Sequence, residues 1–319
     1  MTGSPQLIPA RSEVETDRLV ALLLEDPAVK PHLPDARVSE RKSSYSGAFM
    51  VYGSWDGAPA IVKVGVRPNE ARWTRAVARV DPGVLPTLHA SGDSIAEEPL
   101  AWLAMERCPH VLGWQFHDVG YRLLFEAGVR FQLATRRVGP RPTAADVDVD
   151  RFCRVLRQSM SRSDLPLPEG GAALAAAAER DVAWVLSVCE VEQCHGDLHP
   201  SNAVLRVTPP DPAARALLID VSSSPLPWAY EGPYAEIVFW PAPIPDGHPT
   251  MTHALAAERR RRGLSVPSDE DLLRLSTLYR GWHALRLWAH APHRTHHPDY
   301  QAAARRYIVE AAQLSRSLA

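Results

Sequence analysis

The chain of 319 residues has a formal net charge of −2, with 45% hydrophobic and 23% charged residues. That composition suits a globular chain with a sizeable core. It offers no overall positive field to recruit nucleic acid or an anionic membrane. No apolar run approaches the roughly 20 residues of a membrane span, and residues 1–18 are polar, without a signal peptide's apolar segment. A cytoplasmic protein is expected.

In chain order, 12–24 has helical apolar spacing, with Val14, Leu19, Leu22 and Leu23 apolar and Ser12 placed to cap it. Pro27, Pro31 and Pro34 then interrupt regular structure. Residues 48–52 and 60–64 read as strands, and Asp56-Gly57 between them as a hairpin turn. A helix is predicted over 69–80, capped by Asn69 and with Glu70 in its first turn. Residues 100–105 form a short apolar strand. Beyond Pro109 the spacing turns helical, over 120–133, 149–160 and 174–188. The stretch 193–221 is polar and β-rich, and 224–250, dense in Pro, Trp and Tyr, is expected to be loop-rich. Helices over 269–290 and 300–318 close the chain. The sum is an α+β protein, with a small strand-rich lobe (1–108) and a larger helical lobe (109–319). Cys108, Cys153, Cys189 and Cys194 form no Cys-x-x-Cys pair and read as free thiols.

The chemistry concentrates in Cys194-His195-Gly196-Asp197-Leu198-His199-Pro200-Ser201-Asn202 and in Leu217-Leu218-Ile219-Asp220. Phosphoryl transfer needs an acceptor for the attacking hydroxyl's proton and hard oxygen ligands for magnesium. Asp197 and Asn202 fall on one loop, and Asp220 ends an apolar run that would project it from the interior. Asp197 can orient and deprotonate a hydroxyl; Asn202 and Asp220 offer oxygens suited to Mg²⁺. A chance polar loop beside a strand is the alternative. The two segments together resemble the aminoglycoside phosphotransferase family of antibiotic kinases. The resemblance implies a bilobal protein-kinase-like fold with ATP and Mg²⁺ in its cleft. It implies Asp197 as catalytic aspartate, Asn202 as a metal ligand and Asp220 as the main one. His195 would support the loop, and His199 would be structural rather than a general base.

The same resemblance places the ATP lysine on a strand after a hairpin. Lys63 lies there, one of only three lysines (Lys30, Lys42, Lys63) in a chain that otherwise uses arginine. Its partner would be a glutamate on the next helix, best matched by Glu70, and the pair would aim the ammonium at the α- and β-phosphates. Taken alone, Lys63 also reads as a strand lysine whose stem lies along apolar surface, and Glu70 as a residue favouring its helix's N-terminus. Ser43-Ser44-Tyr45-Ser46-Gly47-Ala48 resembles the phosphate-covering loop, with Ser46 and Gly47 as contacts, although the multiple glycines are missing. An ordinary turn is the alternative there. Leu103-Ala104-Met105-Glu106-Arg107-Cys108 resembles the strand and hinge that hold adenine. Backbone groups of Glu106 and Cys108 would bond the base and Met105 would line the pocket; a plain core strand fits Met105 equally.

Two features depart from the family pattern. Val221-Ser222-Ser223 follows Asp220 where Trp is frequent. Gly232-Pro233-Tyr234-Ala235-Glu236-Ile237 carries Glu236 where an aspartate usually ties down the catalytic loop. His283, His290, His293, His296 and His297, and the basic run 259–262, are expected to be solvated surface rather than zinc or nucleic-acid sites. The expected activity is transfer of the γ-phosphoryl group to a hydroxyl of a small-molecule natural product, of antibiotic type in an arginine- and alanine-rich chain. An excess of arginine over acid near the C-terminus, with many aromatics, favours a neutral or weakly charged acceptor such as a nucleoside or macrolide antibiotic. The rivals are a metabolic kinase for a sugar, amino alcohol or homoserine-type substrate, and an inactive nucleotide-binding pseudokinase.

Overall fold

The computed structural model describes residues 13–34, 37–38, 48–113, 117–161, 166–288 and 299–318. The chain forms two units, one of Met1–Val111 with Val204–Ser222 and one of Leu112–Ala203 with Ser223–Ala319. Its elements begin with α1 (Glu13–Glu25), β1 (Arg37–Val38), β2 (Phe49–Trp55), β3 (Ala58–Val64), α2 (Pro68–Val80), β4 (Leu88–Gly92), β5 (Trp102–Glu106) and β6 (His110–Val111). Then come α3 (His117–Val138), α4 (Val149–Ser161), α5 (Gly171–Val188), β7 (Val191–Cys194), β8 (Ala203–Leu205), β9 (Ala216–Leu218) and β10 (Ser224–Pro227). The chain closes with α6 (Glu231–Val238), α7 (Met251–Arg261), α8 (Asp269–Leu287) and α9 (Tyr300–Ser317).

In the first unit the predicted hairpin forms: β2 pairs antiparallel with β3 around Asp56 and Gly57, whose φ values are 51° and 83°. Two successive positive φ values match the right-handed twist of the flanking strands, which is why Asp-Gly serves there. The five strands run in the order β1-β2-β3-β5-β4. Side chains alternate across a strand. Ala60, Val62 and Val64 of β3 pack into one cluster with Val20 and Leu23 of α1 and with Trp102 and Ala104 of β5. Ile61 faces the other side, where Leu103 and Met105 pack with Ala71 of α2. Lys63 shares that register, so the alternation itself carries it to the face covered by α2. Pro68 opens α2 and Arg67 is its N-cap residue, so Asn69 lies inside the first turn rather than capping it. A proline fits that first position because its missing N–H would have no helical partner. β4 was not anticipated; none of its five residues is fully buried, and it lacks a clean alternation.

The second unit is built of helices around the short ribbon in which β7 pairs antiparallel with β10. Within 224–250, expected to be loop-rich, the chain forms β10 and α6, a helix whose residues from Glu231 to Ile237 are all buried, before a loop over 239–250. Pro233 misled the reading. It sits in the first turn, where backbone N–H groups lack intrahelical partners and a proline breaks nothing. The basic run 259–262 is a solvated helix end, as expected, except at its first residue. Arg259 is fully buried, 3.1 Å from Glu192 Oε1, with Nη1 donating to Gln132 Oε1 at 2.5 Å and the guanidinium 4.7 Å over Trp228. Arg260 pairs with Asp269, Arg261 with Glu258, and Arg262 with Glu258 and Glu126. This arginine excess is therefore largely neutralised inside the unit and says little about an acceptor. His283 is also buried, against Tyr230 at 4.6 Å, while His290, His293, His296 and His297 lie outside the described residues. The four cysteines are free thiols. Among the described residues, no helix is long and apolar enough to cross a membrane.

Helices α8 and α9 approach closely at Gly281. A methyl there would stand 2.2 Å from Ala311 Cβ and 3.0 Å from Tyr307 O. Gly281→Ala is expected to lower the unfolding free energy by about 1–3 kcal/mol, against the roughly 1 kcal/mol that alanine gains in helix propensity. Urea denaturation measures the sign; a more stable variant would contradict this packing.

Candidate active site

In the first unit, Lys63 is 5% exposed, and its Nζ lies 2.5 Å from Glu70 Oε1 and 2.6 Å from Asp220 Oδ1. Burial would push the ammonium's pKa down, but the carboxylates of Asp220 and Glu70 outweigh it and hold the value above the ordinary one. Lys63 is thus a fixed cation at any physiological pH. Asp220 follows β9 and adopts φ 58°, a left-handed conformation that aspartate tolerates better than most residues. Leu218 N–H donates to Val84 O at 2.9 Å, which fixes the approach to Asp220 against the turn after α2. The side chain of Asp220 is 42% exposed. Its Oδ1 faces Lys63, and Oδ2 has no hydrogen-bond partner among the described residues. A half-exposed carboxylate with a free hard oxygen fits a magnesium ligand.

The hinge candidates lie in the same unit. The carboxylate of Glu106 is gripped by Arg206 at 2.7 and 2.6 Å and by Thr87 N–H and Oγ at 3.1 and 2.9 Å. These bonds, the Arg206 bond first, pull its pKa down to about 2. The Glu106 N–H is used by Thr87 O and the Arg107 N–H by Pro59 O. The Cys108 N–H has no partner among the described residues. Burial, with the Glu106 charge, pushes the Cys108 thiol up to about 12, so it is no reactive thiolate. Met105 packs with Leu103 and Val66. Ser46 and Gly47 lie outside the described residues.

In the second unit, the loop after β7 brings Asp197 and Asn202 together. Asn202 Nδ2 donates to the Asp197 carbonyl and to Asp197 Oδ2, both at 2.9 Å, which leaves Asn202 Oδ1 as the atom available to a cation. Tyr234 of α6 donates its hydroxyl to Asp197 Oδ1, and His199 Nε2 stands 3.5 Å from the same oxygen. Burial would raise the Asp197 pKa; the bond and charge of His199 and the Tyr234 bond more than offset it, and the group sits below the usual carboxylate range. His195 is fully buried, edge-on to Phe131 at 5.8 Å, and accepts the Asp197 N–H at Nδ1. It supports the loop.

Glu236 does not tie down this loop. It pairs with Arg280 at 2.9 Å and accepts from Tyr307. Glu231 does the tying: its Oε1 accepts the Gly196 N–H at 3.1 Å and its Oε2 accepts from Gln132 Nε2 at 3.2 Å. Sequence reading missed Glu231, Tyr234 and Arg286, which contacts both Tyr230 and Tyr234. The available signal was a glutamate directly before the Gly-Pro-Tyr segment.

Burial pushes Glu231 up to about 7 despite the Gly196 and Gln132 bonds. The folded state therefore holds a proton that the unfolded chain releases near the ordinary carboxylate value. Stability from this group is complete below that value and falls as pH rises through about 7. Glu231→Gln, which cannot titrate, should be destabilised relative to wild type by more at pH 5 than at pH 8. Guanidinium titrations at both values test this; a difference independent of pH would contradict it.

No family profile and no curated protein sequence matches the chain. Solved structures do. An aminoglycoside-3′-phosphotransferase of type VIII is 20% identical with a TM-score of 0.54, the match covering 86% of this chain and 100% of that one. Spectinomycin phosphotransferase, in complex with ADP and spectinomycin, is 10% identical with a TM-score of 0.52, covering 95% and 98%. A choline/ethanolamine kinase family protein from Mesorhizobium loti is 14% identical with a TM-score of 0.55, covering 94% of both chains. The chain has the α+β, protein-kinase-like fold of the aminoglycoside phosphotransferases.

Proposed function

We propose that the chain is an ATP-dependent O-phosphotransferase that moves the γ-phosphoryl group to a hydroxyl of a small molecule. The observation that carries this reading is the state of Asp197: ionised, and oriented through both oxygens by Asn202 and Tyr234. A carboxylate so acidic is a weak base toward a free alcohol. It suits phosphoryl transfer, where bonding to phosphorus acidifies the attacking hydroxyl and the proton moves late. The Asp197 carboxylate would accept the acceptor's hydroxyl proton, aligning an oxygen lone pair toward the γ-phosphorus. Lys63, fixed by Glu70, would contact the α- and β-phosphates. Asp220 and Asn202 are the proposed magnesium ligands; the ion's chemistry is to neutralise charge on the phosphates. Ser46, Gly47, Met105 and the backbone of Glu106 and Cys108 are the proposed nucleotide contacts. The presence of Lys63, Asp197, Asn202 and Asp220 together speaks against an inactive scaffold.

In this reading the enzyme works in the cytoplasm on a natural product of antibiotic type, as resistance kinases do. Likeness to the spectinomycin and aminoglycoside-3′ phosphotransferases supports it. Likeness to the choline/ethanolamine kinase family protein favours a second reading, a metabolic kinase of sugar, amino alcohol or homoserine type.

Asp197→Asn keeps the side chain's shape but accepts no proton, and its single oxygen can serve only one of the two donors, Tyr234 and Asn202. Acceptor-dependent ATP consumption should fall about 10²–10⁴-fold while nucleotide binding persists. Turnover close to wild type would refute the assignment.

A further inference from the structure

The side chain that touches Asp197 also touches a cation. Arg286 of α8 donates from Nη1 to the Tyr230 hydroxyl at 3.0 Å, and its guanidinium stands 5.2 Å from the centre of the Tyr234 ring. Tyr230 and Tyr234 stack at 5.5 Å, and His283 meets the edges of both, at 4.6 and 5.3 Å. Arg286 is partly buried, yet no Asp or Glu pairs with it among the described residues. Its counterparts in the same unit differ. Arg136 and Arg259 pair with Glu192, Arg274 with Glu270, and Arg280 with Glu236.

A guanidinium withdrawn from water is costly without a counter-charge, and here phenols and an aromatic face stand where a carboxylate usually does. His283 supplies no negative charge; burial and the nearby Arg286 keep it neutral. The nearest anion in the cluster, Asp197, meets the Tyr234 hydroxyl and not the guanidinium, and a planar fork held in place by two phenols is shaped for a carboxylate or a phosphate. Tyr234 spans the two functions, its hydroxyl on the Asp197 carboxylate and its ring face under Arg286.

We propose that Arg286, with Tyr230 and Tyr234, forms an acceptor subsite for an anionic group, a carboxylate or phosphate monoester, on the molecule whose hydroxyl meets Asp197. The proposal rests on the phosphotransferase reading and narrows it to hydroxylated acids. It sets the cluster against polycationic acceptors through one residue rather than through a tally of arginines.

The test is ligand-observed NMR titration of the full-length protein with magnesium and a non-hydrolysable ATP analogue. The probes are glycerate and glycerol 3-phosphate (anionic), glycerol (neutral) and 2-aminoethanol (cationic). At least one anionic probe should bind about ten- to a hundredfold more tightly than glycerol, with 2-aminoethanol weakest. The better of the two anions identifies the group. Arg286→Gln should erase the preference and Arg286→Lys should keep part of it. Near-ultraviolet circular dichroism checks that the variants are folded; if Arg286→Gln is not, the wild-type ranking and Arg286→Lys decide. No detectable anionic binding, equal binding of glycerol, tighter binding of 2-aminoethanol, or an unchanged preference in folded Arg286→Gln would each overturn the subsite. Magnesium-dependent binding of the analogue to wild type, measured alongside, reports separately on the kinase reading.

Discussion

A single buried carboxyl group, that of Glu231, holds the loop that carries Asp197. Gly196 takes φ 84°, a conformation open to glycine, and this turn offers its N–H to Glu231. An unmet buried N–H costs about 1–3 kcal/mol, so the loop's geometry is bound to Glu231. Glu231 is bound in turn to Gln132, whose amide oxygen is taken by the buried Arg259. Arg259 is held by Glu192 on the strand that leads into the loop. The circuit closes through residues far apart in sequence, and it explains why α6 must lie buried. That helix presents Glu231 at its start and Tyr234 one turn later, one to the loop's backbone and the other to its carboxylate.

The strand-rich unit solves a different electrostatic problem. A buried ammonium needs compensation, and Lys63 receives it from two carboxylates. Glu70 is 7% exposed, and among the described residues its side chain bonds only Lys63. Asp220 is half-exposed and keeps an oxygen for another partner. The asymmetry separates a buried partner from a half-exposed one. A lysine suits this place in an arginine-using chain because a compact ammonium can meet two carboxylates on separate elements from one atom.

Much of the Lys63 cluster was readable because its signals are local. Asp-Gly sets the hairpin, strand alternation turns Lys63 toward α2, and Glu70 lies on the first turn of that helix. The pairing of Asp197 with Asn202 is also local, a bond across five residues. What stayed hidden is long-range. Glu231 reaches Gly196 across 35 residues, Tyr234 reaches Asp197 across 37, and Arg286 reaches Tyr230 across 56. The proline and glycine beside Glu231 read as loop signals, although both sit in a helix's first turn. Likewise a run of four arginines gave no hint that its first member is core, since only the fold brings Glu192, Gln132 and Trp228 around it.

The central claim, that this fold is used to hold magnesium-bound nucleotide for phosphoryl transfer, rests most heavily on Asp220. Calorimetric titration of ATP into wild type and Asp220→Ala, each with and without magnesium, tests it directly. The account predicts that magnesium strengthens ATP binding by wild type and that this dependence disappears in Asp220→Ala. One neutral amide oxygen from Asn202 is too little to hold a hydrated divalent ion. Equal magnesium-ATP affinity in the two proteins would contradict it.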